Sequence, residues 1–248
     1  NLTELIDKAQ KYEADIMGVY GGDGTVSAIS REIHKRDLRL MVLPGGTANL
    51  IAGVLGYPAN LEDCLKLLLQ ENPGFVKIDL GCVNDQNFIL NTSFGFTEKV
   101  IKQTDDESKS RYGKMDYVFQ GLKNAVNNEK FSLNLDIDEN EIDTEVYSCI
   151  ICNSGSMGLG KFEFPSVEID DGQFDVFLIK DLNFKSLSQK VINPSNIEED
   201  EEILHFRAKT IKARPGSPQP VQYDGEILKA DEYNIAVIPE AVAFLRVS

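Results

Sequence analysis

Two glycine-rich segments of this chain contain residues whose types and spacing are suited to chemistry. "GGDGT" occupies positions 21–25 and "PGGTAN" positions 44–49, and each follows a short apolar run. Backbone N–H groups in a glycine turn can crowd around an anion, because glycine has no side chain in the way and tolerates positive φ. Such turns could bind phosphate, although each alone is equally consistent with a tight connection from a strand to a helix.

Asp23 narrows the chemistry of these turns. An acid within a phosphate-binding turn would repel its ligand unless a divalent cation lay between them. The hydroxyl groups of Thr25 and Thr47 could donate to phosphate oxygens. Neither the G-x-G-x-x-G pattern nor a lysine-bearing P-loop is present, which disfavours dinucleotide oxidoreductases and P-loop NTPases. The two turns together therefore predict a nucleoside triphosphate held by backbone amides and a metal ion.

The segments around the turns predict an α/β fold. "ADIMGVY" and "LRLMVLP" are typical of buried strands, and helices are expected over 26–36 and 48–55. A further helix, capped by Asn60, is expected from position 61. Strands that alternate with helices of this length indicate crossovers and a parallel sheet. Both glycine turns then lie at the same carboxyl edge of that sheet, where they could share one ligand.

The remainder of the chain is predicted to be mainly β, with two helix-like inserts at 113–128 and 183–193. We place the boundary near residue 77, which gives an α/β domain over 1–77 and a mainly β domain over 78–248. The predicted strands are "FVKIDLGCV", "NFILNTSFGF", "FSLNLDID", "YSCIICN", "FDVFLIKD", "LHFRAKTIKAR" and "YNIAVIPEA".

Composition limits the class of partner. The 248 residues include 40 acids and 25 bases, a net charge of −15 that disfavours binding to nucleic acid. No apolar run approaches the ~20 residues of a membrane-spanning helix, and four cysteines in a chain of this length are expected in a reducing cytoplasm. Cys149 and Cys152 are interpreted as core residues of a strand, where positions three apart face opposite sides.

The two glycine segments together resemble the diacylglycerol kinase catalytic-domain superfamily, which includes bacterial lipid kinases and sphingosine and ceramide kinases. GGDGT also occurs in NAD kinases and phosphofructokinases, so that motif alone indicates only a broad group of kinases. Three further segments are similar to those of the family and follow in the same order: "DLGCVNDQNFILNTSFGF", "DDGQFDVFLI" and "VQYDGEIL". The resemblance extends over essentially the whole chain.

This resemblance implies a Rossmann-like α/β nucleotide-binding domain and a C-terminal β-sandwich, with the active site in the cleft between them. It implies transfer of the γ-phosphoryl group of ATP to the hydroxyl of diacylglycerol or a related lipid. Glu226 would be the general base, and Asp23 would be directed towards Mg²⁺. The implied nucleotide-binding residues are Gly21, Gly22, Asp23, Gly24, Thr25, Val26, Ser27, Gly46 and Thr47.

The "DGE" segment also has an explanation without catalysis. Asp-Gly between alternating apolar residues is typical of a short β-hairpin. Both interpretations hold together if the turn presents Glu226 at its tip.

A second, structural Mg²⁺ is implied in "VEIDDGQFD", held by Asp171 and the backbone carbonyls of Glu168 and Gln173; a plain acidic turn is the alternative. In the family, a segment comparable to "ESKSRYGKMDY" leads into a helix near the substrate cleft. Lys109, Arg111 and Lys114 are interpreted as a basic surface for an anionic membrane or as a solvated turn. We therefore expect a cytoplasmic protein that associates peripherally with membranes, and the family often forms homodimers.

Two positions differ from the residues that are common in the motifs of the family. Ser27 stands where Asn often occurs, and Leu50 stands where Asp often follows "GTAN". The first residue is not Met, and we expect a leading strand to be missing. Two alternatives to a lipid kinase remain at this point: a soluble kinase of the NAD kinase type, and a nucleotide- or lipid-binding regulator without catalysis.

Overall fold

The computed structural model describes residues 2–70, 73–95, 129–156, 167–181 and 203–247. Its helices are α1 (Leu2–Lys11), α2 (Asp23–Ile33), α3 (Leu50–Val54) and α4 (Leu61–Lys66), followed by a 3-10 turn at Leu67–Leu69. Its strands are β1 (Ile16–Gly21), β2 (Arg39–Pro44), β3 (Phe75–Val83), β4 (Gln86–Phe88), β5 (Asn91–Phe94), β6 (Phe131–Ile137), β7 (Asn140–Val146), β8 (Ser148–Cys152), β9 (Phe174–Ile179), β10 (Ile203–Ala208), β11 (Thr210–Pro215), β12 (Val221–Tyr223), β13 (Glu226–Leu228) and β14 (Tyr233–Leu245).

Local signals in the sequence set the helix ends. The side chain of Asn60 accepts a hydrogen bond from Asp63 N–H at 2.8 Å, which confirms the predicted cap of α4. Gly56 has φ of +75°, and it follows α3 in the left-handed conformation that glycine adopts at little cost. Helix α2 begins at Asp23, three residues before the predicted start, so "GGDGT" forms the end of β1 and the first turn of α2.

An eight-stranded mixed sheet contains the N-terminal elements. β1 pairs with β2 in parallel, and the last strand, β14, pairs in parallel with β2 and antiparallel with β3 and β11. The other strands of this sheet are β4, β6 and β7. The parallel strands confirm the predicted α/β arrangement of the N-terminal part.

A six-stranded antiparallel sheet, in the order β10-β9-β8-β5-β12-β13, forms the second layer of the C-terminal part. Apolar residues of β6, β8, β9, β11 and β14 pack together in one buried cluster between the two sheets. This arrangement is the predicted β-sandwich. A second cluster lies between the helices and the first sheet.

β14 contributes to both apolar clusters. Tyr233 and Ile235, from its first half, belong to the sandwich cluster, whereas Val242, Phe244 and Leu245 belong to the cluster beneath the helices. The last strand therefore ties the N-terminal elements to the sandwich. The predicted domain boundary near residue 77 stays a prediction.

Two predicted strands are divided in the structure, and one strand was not predicted. "NFILNTSFGF" is divided between β4 and β5, and "LHFRAKTIKAR" is divided between β10 and β11, in each case because the chain passes from one sheet to the other. At these crossing points the N–H groups of Ile89, Leu90, Lys209 and Thr210 are bound by distant aspartates instead of by a neighbouring strand. The sequence analysis did not predict β7, because this strand is mostly exposed and contains three acidic residues.

The predicted helical inserts at 113–128 and 183–193 lie outside the described residues, as do Lys109, Arg111 and Lys114. Cys149 and Cys152 are free, buried residues of β8, which confirms their assignment to a strand core. Burial raises the pKa of both thiols. Across the described part of the chain, no helix combines the length and apolar character needed to cross a bilayer.

Candidate active site

The two glycine turns are in direct contact. Gly45 N–H donates to the carbonyl of Gly21 at 2.9 Å. A Cβ atom added to Gly46 would lie 2.5 Å from the Cα atom of Gly22, closer than any side chain tolerates. Because β1 and β2 are parallel neighbours, their carboxyl ends bring both turns to one edge of the sheet. The predicted juxtaposition of the turns is confirmed.

The first turn of α2 exposes backbone at this edge. Gly22 is the N-cap residue and provides no side-chain hydrogen bond to the helix. The first N–H groups of a helix have no intrahelical partner, so they can bind an anion. A Cβ added to Gly24 would meet no atom within 4 Å, which shows open space beside the turn.

Asp23 connects the two turns. Its Oδ1 accepts a hydrogen bond from Ile51 N–H, at the start of α3, at 2.8 Å. Oδ2 accepts no hydrogen bond from the described residues, so this oxygen is available to coordinate a cation. The second turn is closed by Asn49, whose side chain binds both the N–H and the carbonyl of Gly46.

Not all predicted nucleotide-binding side chains face this open edge. Val26 and Ser27 are both 1% exposed, and Val26 packs in the cluster beneath the helices. Ser27 Oγ–H donates to Asp224 Oδ2 at 2.7 Å. Thr25 and Thr47 are exposed, and Thr25 lies against Gly21.

The Asp-Gly-Glu segment forms a two-residue hairpin turn between β12 and β13. Asp224 has φ of +43° and Gly225 of +88°, the values of a turn that matches the twist of antiparallel strands. Tyr223 and Glu226 are the paired residues on either side. The predicted turn is confirmed; Asp224 and Gly225 form its tip, and Glu226 is the first residue of β13, directly after the turn.

The carboxylate of Asp224 is held by donors from two segments. Oδ2 accepts from Ile89 N–H at 2.7 Å as well as from Ser27, and Oδ1 accepts from Leu90 N–H at 2.9 Å. Desolvation by burial raises the pKa of Asp224, although these hydrogen bonds oppose the rise. Asp224 therefore fastens the hairpin to α2 and to the break between β4 and β5.

Glu226 is bound from two sides. Arg31, on α2, donates to Oε1 at 2.8 Å, and the Tyr223 hydroxyl donates to Oε2 at 3.0 Å. The hydrogen bond from Arg31 lowers the pKa of the carboxyl, with a smaller contribution from Tyr223 and partial opposition from desolvation. The Glu226 side chain remains 58% exposed, so it is accessible to solvent.

One side of α2 joins these features. Asp23, Ser27 and Arg31 are spaced four residues apart, a spacing that places side chains on the same side of a helix. The first of them lies in the glycine turn, and the other two contact the hairpin. A single helix therefore connects the glycine turn to the hairpin that carries the candidate base. Arg31 and Tyr223 were not predicted from the sequence.

The predicted second metal site has a different environment. Oδ1 of Asp171 accepts from Gln173 N–H at 3.0 Å, and Oδ2 accepts from the guanidinium of Arg207. In this structure the guanidinium therefore neutralises the carboxylate that was predicted to bind Mg²⁺ with the carbonyls of Glu168 and Gln173. Among the described residues, no group of three or more His, Cys, Asp or Glu side chains could hold a metal ion. That ligand set stays a prediction.

Asp79, in "DLG", binds the backbone of the turn that contains Asp171. It is 2% exposed, and its two carboxylate oxygens accept from Gly172 N–H at 2.6 Å and Glu240 N–H at 2.8 Å. The segment was noted only for its resemblance. The sequence signal for these contacts was a single acid within an apolar strand, because a buried carboxylate requires hydrogen-bond donors.

Family models match nearly the whole chain. Residues 1–83 match the diacylglycerol kinase catalytic domain, and residues 91–246 match the YegS C-terminal NAD kinase beta sandwich-like domain. The second match alone covers more than half of the chain.

Two relatives are similar to this chain over most of its length. An uncharacterised protein of Synechocystis is 27% identical over 235 residues, which are 90% of this chain and 52% of that protein. A Staphylococcus aureus protein named "Putative lipid kinase" is 26% identical over 250 residues, covering 99% of this chain and 81% of its own length. This chain thus spans about half of the first relative and most of the second.

Solved structures show the same fold. A crystal structure of a "putative diacylglycerol kinase" from Bacillus anthracis is 24% identical, with a TM-score of 0.78 over 100% of this chain and 82% of that one. A further diacylglycerol kinase structure from that organism has a TM-score of 0.75 at 22% identity, over 99% and 81%. With the family models that match both parts, the chain belongs to the diacylglycerol kinase catalytic-domain superfamily.

Proposed function

We propose that this protein is an ATP-dependent lipid kinase, which transfers the γ-phosphoryl group of ATP to the hydroxyl of diacylglycerol or a related lipid. The observation that carries the proposal is the geometry of α2. Its N-terminus forms the glycine turn, and its side contacts the hairpin that bears Glu226. A phosphate-binding backbone and a carboxylate base on one helix are the parts that phosphoryl transfer to an alcohol requires.

The glycine turns would hold the triphosphate. Contact between Gly22 and Gly46 leaves only backbone at the junction, where N–H groups can approach phosphate oxygens. Thr25 and Thr47 are exposed beside the turns and can add hydroxyl donors.

Asp23 has the features that a Mg²⁺ ligand needs. Its Oδ1 is fixed by Ile51 N–H, which orients the carboxylate, and Oδ2 is available. Mg²⁺, when bound, would neutralise charge on the phosphates. Without a cation, an acid in this turn would repel them.

Glu226 would accept the proton of the acceptor hydroxyl. An alcohol is a weak nucleophile, and a carboxylate within hydrogen-bond reach increases its reactivity as the bond to phosphorus forms. Glu226 is ionised at neutral pH, because the hydrogen bond from Arg31 lowers the pKa of its carboxyl, so it can accept a proton. Its exposure leaves room for an acceptor beside it.

A lipid acceptor is supported by the names of the relatives, which include "Putative lipid kinase" and diacylglycerol kinase. Such an acceptor lies in a bilayer, so the protein would act at a membrane surface. The acceptor's own hydroxyl, rather than water, would then be the nucleophile beside Glu226.

The test is ATP-dependent phosphorylation of a lipid panel that contains diacylglycerol, ceramide, sphingosine and monoacylglycerol, followed by mass spectrometry. A phosphorylated lipid is expected for one class of acceptor. Turnover of NAD in its place would support a soluble kinase. ATP binding without any phosphorylated product would support a regulator.

A matched pair of glycine variants connects the activity to the turns. In Gly46→Ala the added methyl group would collide with Gly22, and we expect ATP affinity to fall about tenfold or more because the turns must separate. Gly53→Ala adds the same group where no atom lies within 4 Å, in α3. Equal ATP affinity in the two variants would contradict the assignment of the nucleotide site.

A further inference from the structure

Arg31 and Tyr223 together hold the carboxylate of Glu226. Nη1–H of Arg31 donates to Oε1 at 2.8 Å, and the hydroxyl of Tyr223 donates to Oε2 at 3.0 Å. The guanidinium also lies over the tyrosine ring, with Cζ 5.3 Å from the ring centroid. Each carboxylate oxygen has its own donor, and the two donors contact each other.

The two donors are themselves fixed in place. Tyr223 is 5% exposed and belongs to β12, which pairs with β5 on one side and β13 on the other. Nε of Arg31 is buried without a hydrogen-bond partner among the described residues, a costly situation for an N–H group. The guanidinium contacts Glu226 through a hydrogen bond and Tyr223 through its ring.

The environment of Glu226 favours its ionised form. The charged and titratable groups that face it within the described parts of the chain are Arg31 from α2, Tyr223 from β12 and, next to that tyrosine, Asp224 of the turn. The hydrogen bond from Arg31 is the largest influence, and it lowers the pKa of the carboxyl. Each oxygen retains a further lone pair, so the carboxylate can still accept a proton.

Helix α2 sets the distance between this carboxylate and the glycine turn. Arg31 follows Asp23 by eight residues, which corresponds to about 12 Å along a helix axis. Ser27 lies between them and is bonded to Asp224 at 2.7 Å. Two contacts on consecutive helical turns prevent the hairpin from rotating about either one alone.

We propose that Arg31, supported by Tyr223, is a positioning residue that holds Glu226 as an oriented, ionised base at a fixed distance from the phosphate-binding turn. The catalytic part of this inference rests on the proposed function. Arg31 has no direct contact with the reacting atoms in this account. It acts through the orientation and charge of Glu226.

The test is Arg31→Gln, measured in two ways on the whole chain. In an NMR titration of carboxyl carbons, with Glu226→Gln to identify the signal, we expect the midpoint of Glu226 to move to higher pH. In lipid phosphorylation, we expect the acidic limb of kcat to move in the same direction, and the plateau of kcat to fall about tenfold or more because the base loses its orientation. KM for ATP is expected to stay unchanged.

Arg31→Lys separates charge from geometry. It keeps the positive charge but loses the planar fork and the stacking on Tyr223. The carboxyl midpoint should therefore stay near that of the wild type, while kcat lies between those of the wild type and Arg31→Gln. Tyr223→Phe removes one donor, so a higher midpoint is expected, and this variant supplies the test if Arg31→Gln does not fold by circular dichroism.

Arg36→Gln is the matched control. Arg36 donates to Asp7 at 2.6 Å, its side chain is 24% exposed against 19% for Arg31, and it has no contact with the hairpin. This substitution should leave the Glu226 midpoint and kcat unchanged.

An unchanged Glu226 midpoint in Arg31→Gln, or a kcat above that of the wild type, would overturn the inference. The latter result would make the ion pair an inhibitory contact. If the wild type phosphorylates no lipid, the proposed function fails, but the NMR titration still decides whether Arg31 holds Glu226.

Discussion

Two hairpins of this protein have the same local construction and different surroundings. Asp138 and Glu139 join β6 to β7, and Asp224 and Gly225 join β12 to β13, with positive φ at all four residues. In both turns the aspartate accepts hydrogen bonds from backbone N–H groups of a distant segment. Turn geometry alone therefore does not distinguish a structural hairpin from a candidate catalytic one.

The difference lies in the third element that each aspartate contacts. Asp138 binds Lys209 and Thr210 at an exposed edge, and these hydrogen bonds outweigh desolvation, so the pKa of its carboxyl is lowered. Asp224 also binds Ser27 of α2, and burial raises its pKa. Only the second hairpin reaches the helix that carries the glycine turn.

Removal of each aspartate should give the largest contrast. In Asp224→Ala, the N–H groups of Ile89 and Leu90 lose their partner in a buried position, and we expect the free energy of unfolding to fall by about 2–4 kcal/mol. In Asp138→Ala, water can reach the exposed N–H groups, so a loss of about 1 kcal/mol is expected. Urea unfolding of both variants measures the difference, and equal losses would erase the contrast.

Substitution at the second residue of each turn should change stability in opposite directions. Gly225→Ala places a methyl group at φ of +88°, which is expected to cost about 1 kcal/mol. Glu139→Gly removes a side chain from φ of +69°, so stability is expected to rise by up to about 1 kcal/mol. Thermal unfolding of the pair checks both signs. A gain for Gly225→Ala would show that the turn is not the one described.

The smallest expected effect is in the pH dependence of stability. A lowered pKa means that Asp138 contributes stability above its unfolded-state pKa and loses it as pH falls through the folded-state value. The pKa of Asp224 is raised, so its effect has the opposite sign. Asp224 contributes stability below its unfolded-state pKa and loses that stability as pH rises through the folded-state value. Unfolding of Asp138→Asn and Asp224→Asn, each compared with the wild type across the acidic range, should show slopes of opposite sign. Parallel slopes would contradict these assignments.

The sequence was sufficient for features that depend on neighbours along the chain. The glycine turns, the cap at Asn60 and the Asp-Gly hairpin each follow from a few consecutive residues. The parallel pairing of β1 and β2 follows from the alternation of strands and helices. These elements located the glycine turns and the hairpin, whereas the role of Glu226 was implied by the resemblance to the family.

Contacts between distant residues were not predictable in the same way. Arg31 lies 195 residues from Glu226, and no local pattern relates an arginine on a helix to a hairpin so far away. The breaks in "NFILNTSFGF" and "LHFRAKTIKAR" occur where remote aspartates bind backbone N–H groups, within runs that otherwise resemble continuous strands. Ser27 was expected at the nucleotide, whereas its hydroxyl binds Asp224.

The account depends on Glu226 as the base beside the glycine turn, and rapid-quench measurement of phosphoryl transfer from bound ATP to the lipid acceptor tests this most directly. We expect Glu226→Gln to reduce the transfer rate by about 10²-fold or more, with ATP affinity changed by less than about threefold. Glu232→Gln is the control, because that glutamate also pairs with an arginine, Arg214, but lies away from α2. A Glu226→Gln rate equal to that of the control would contradict the account.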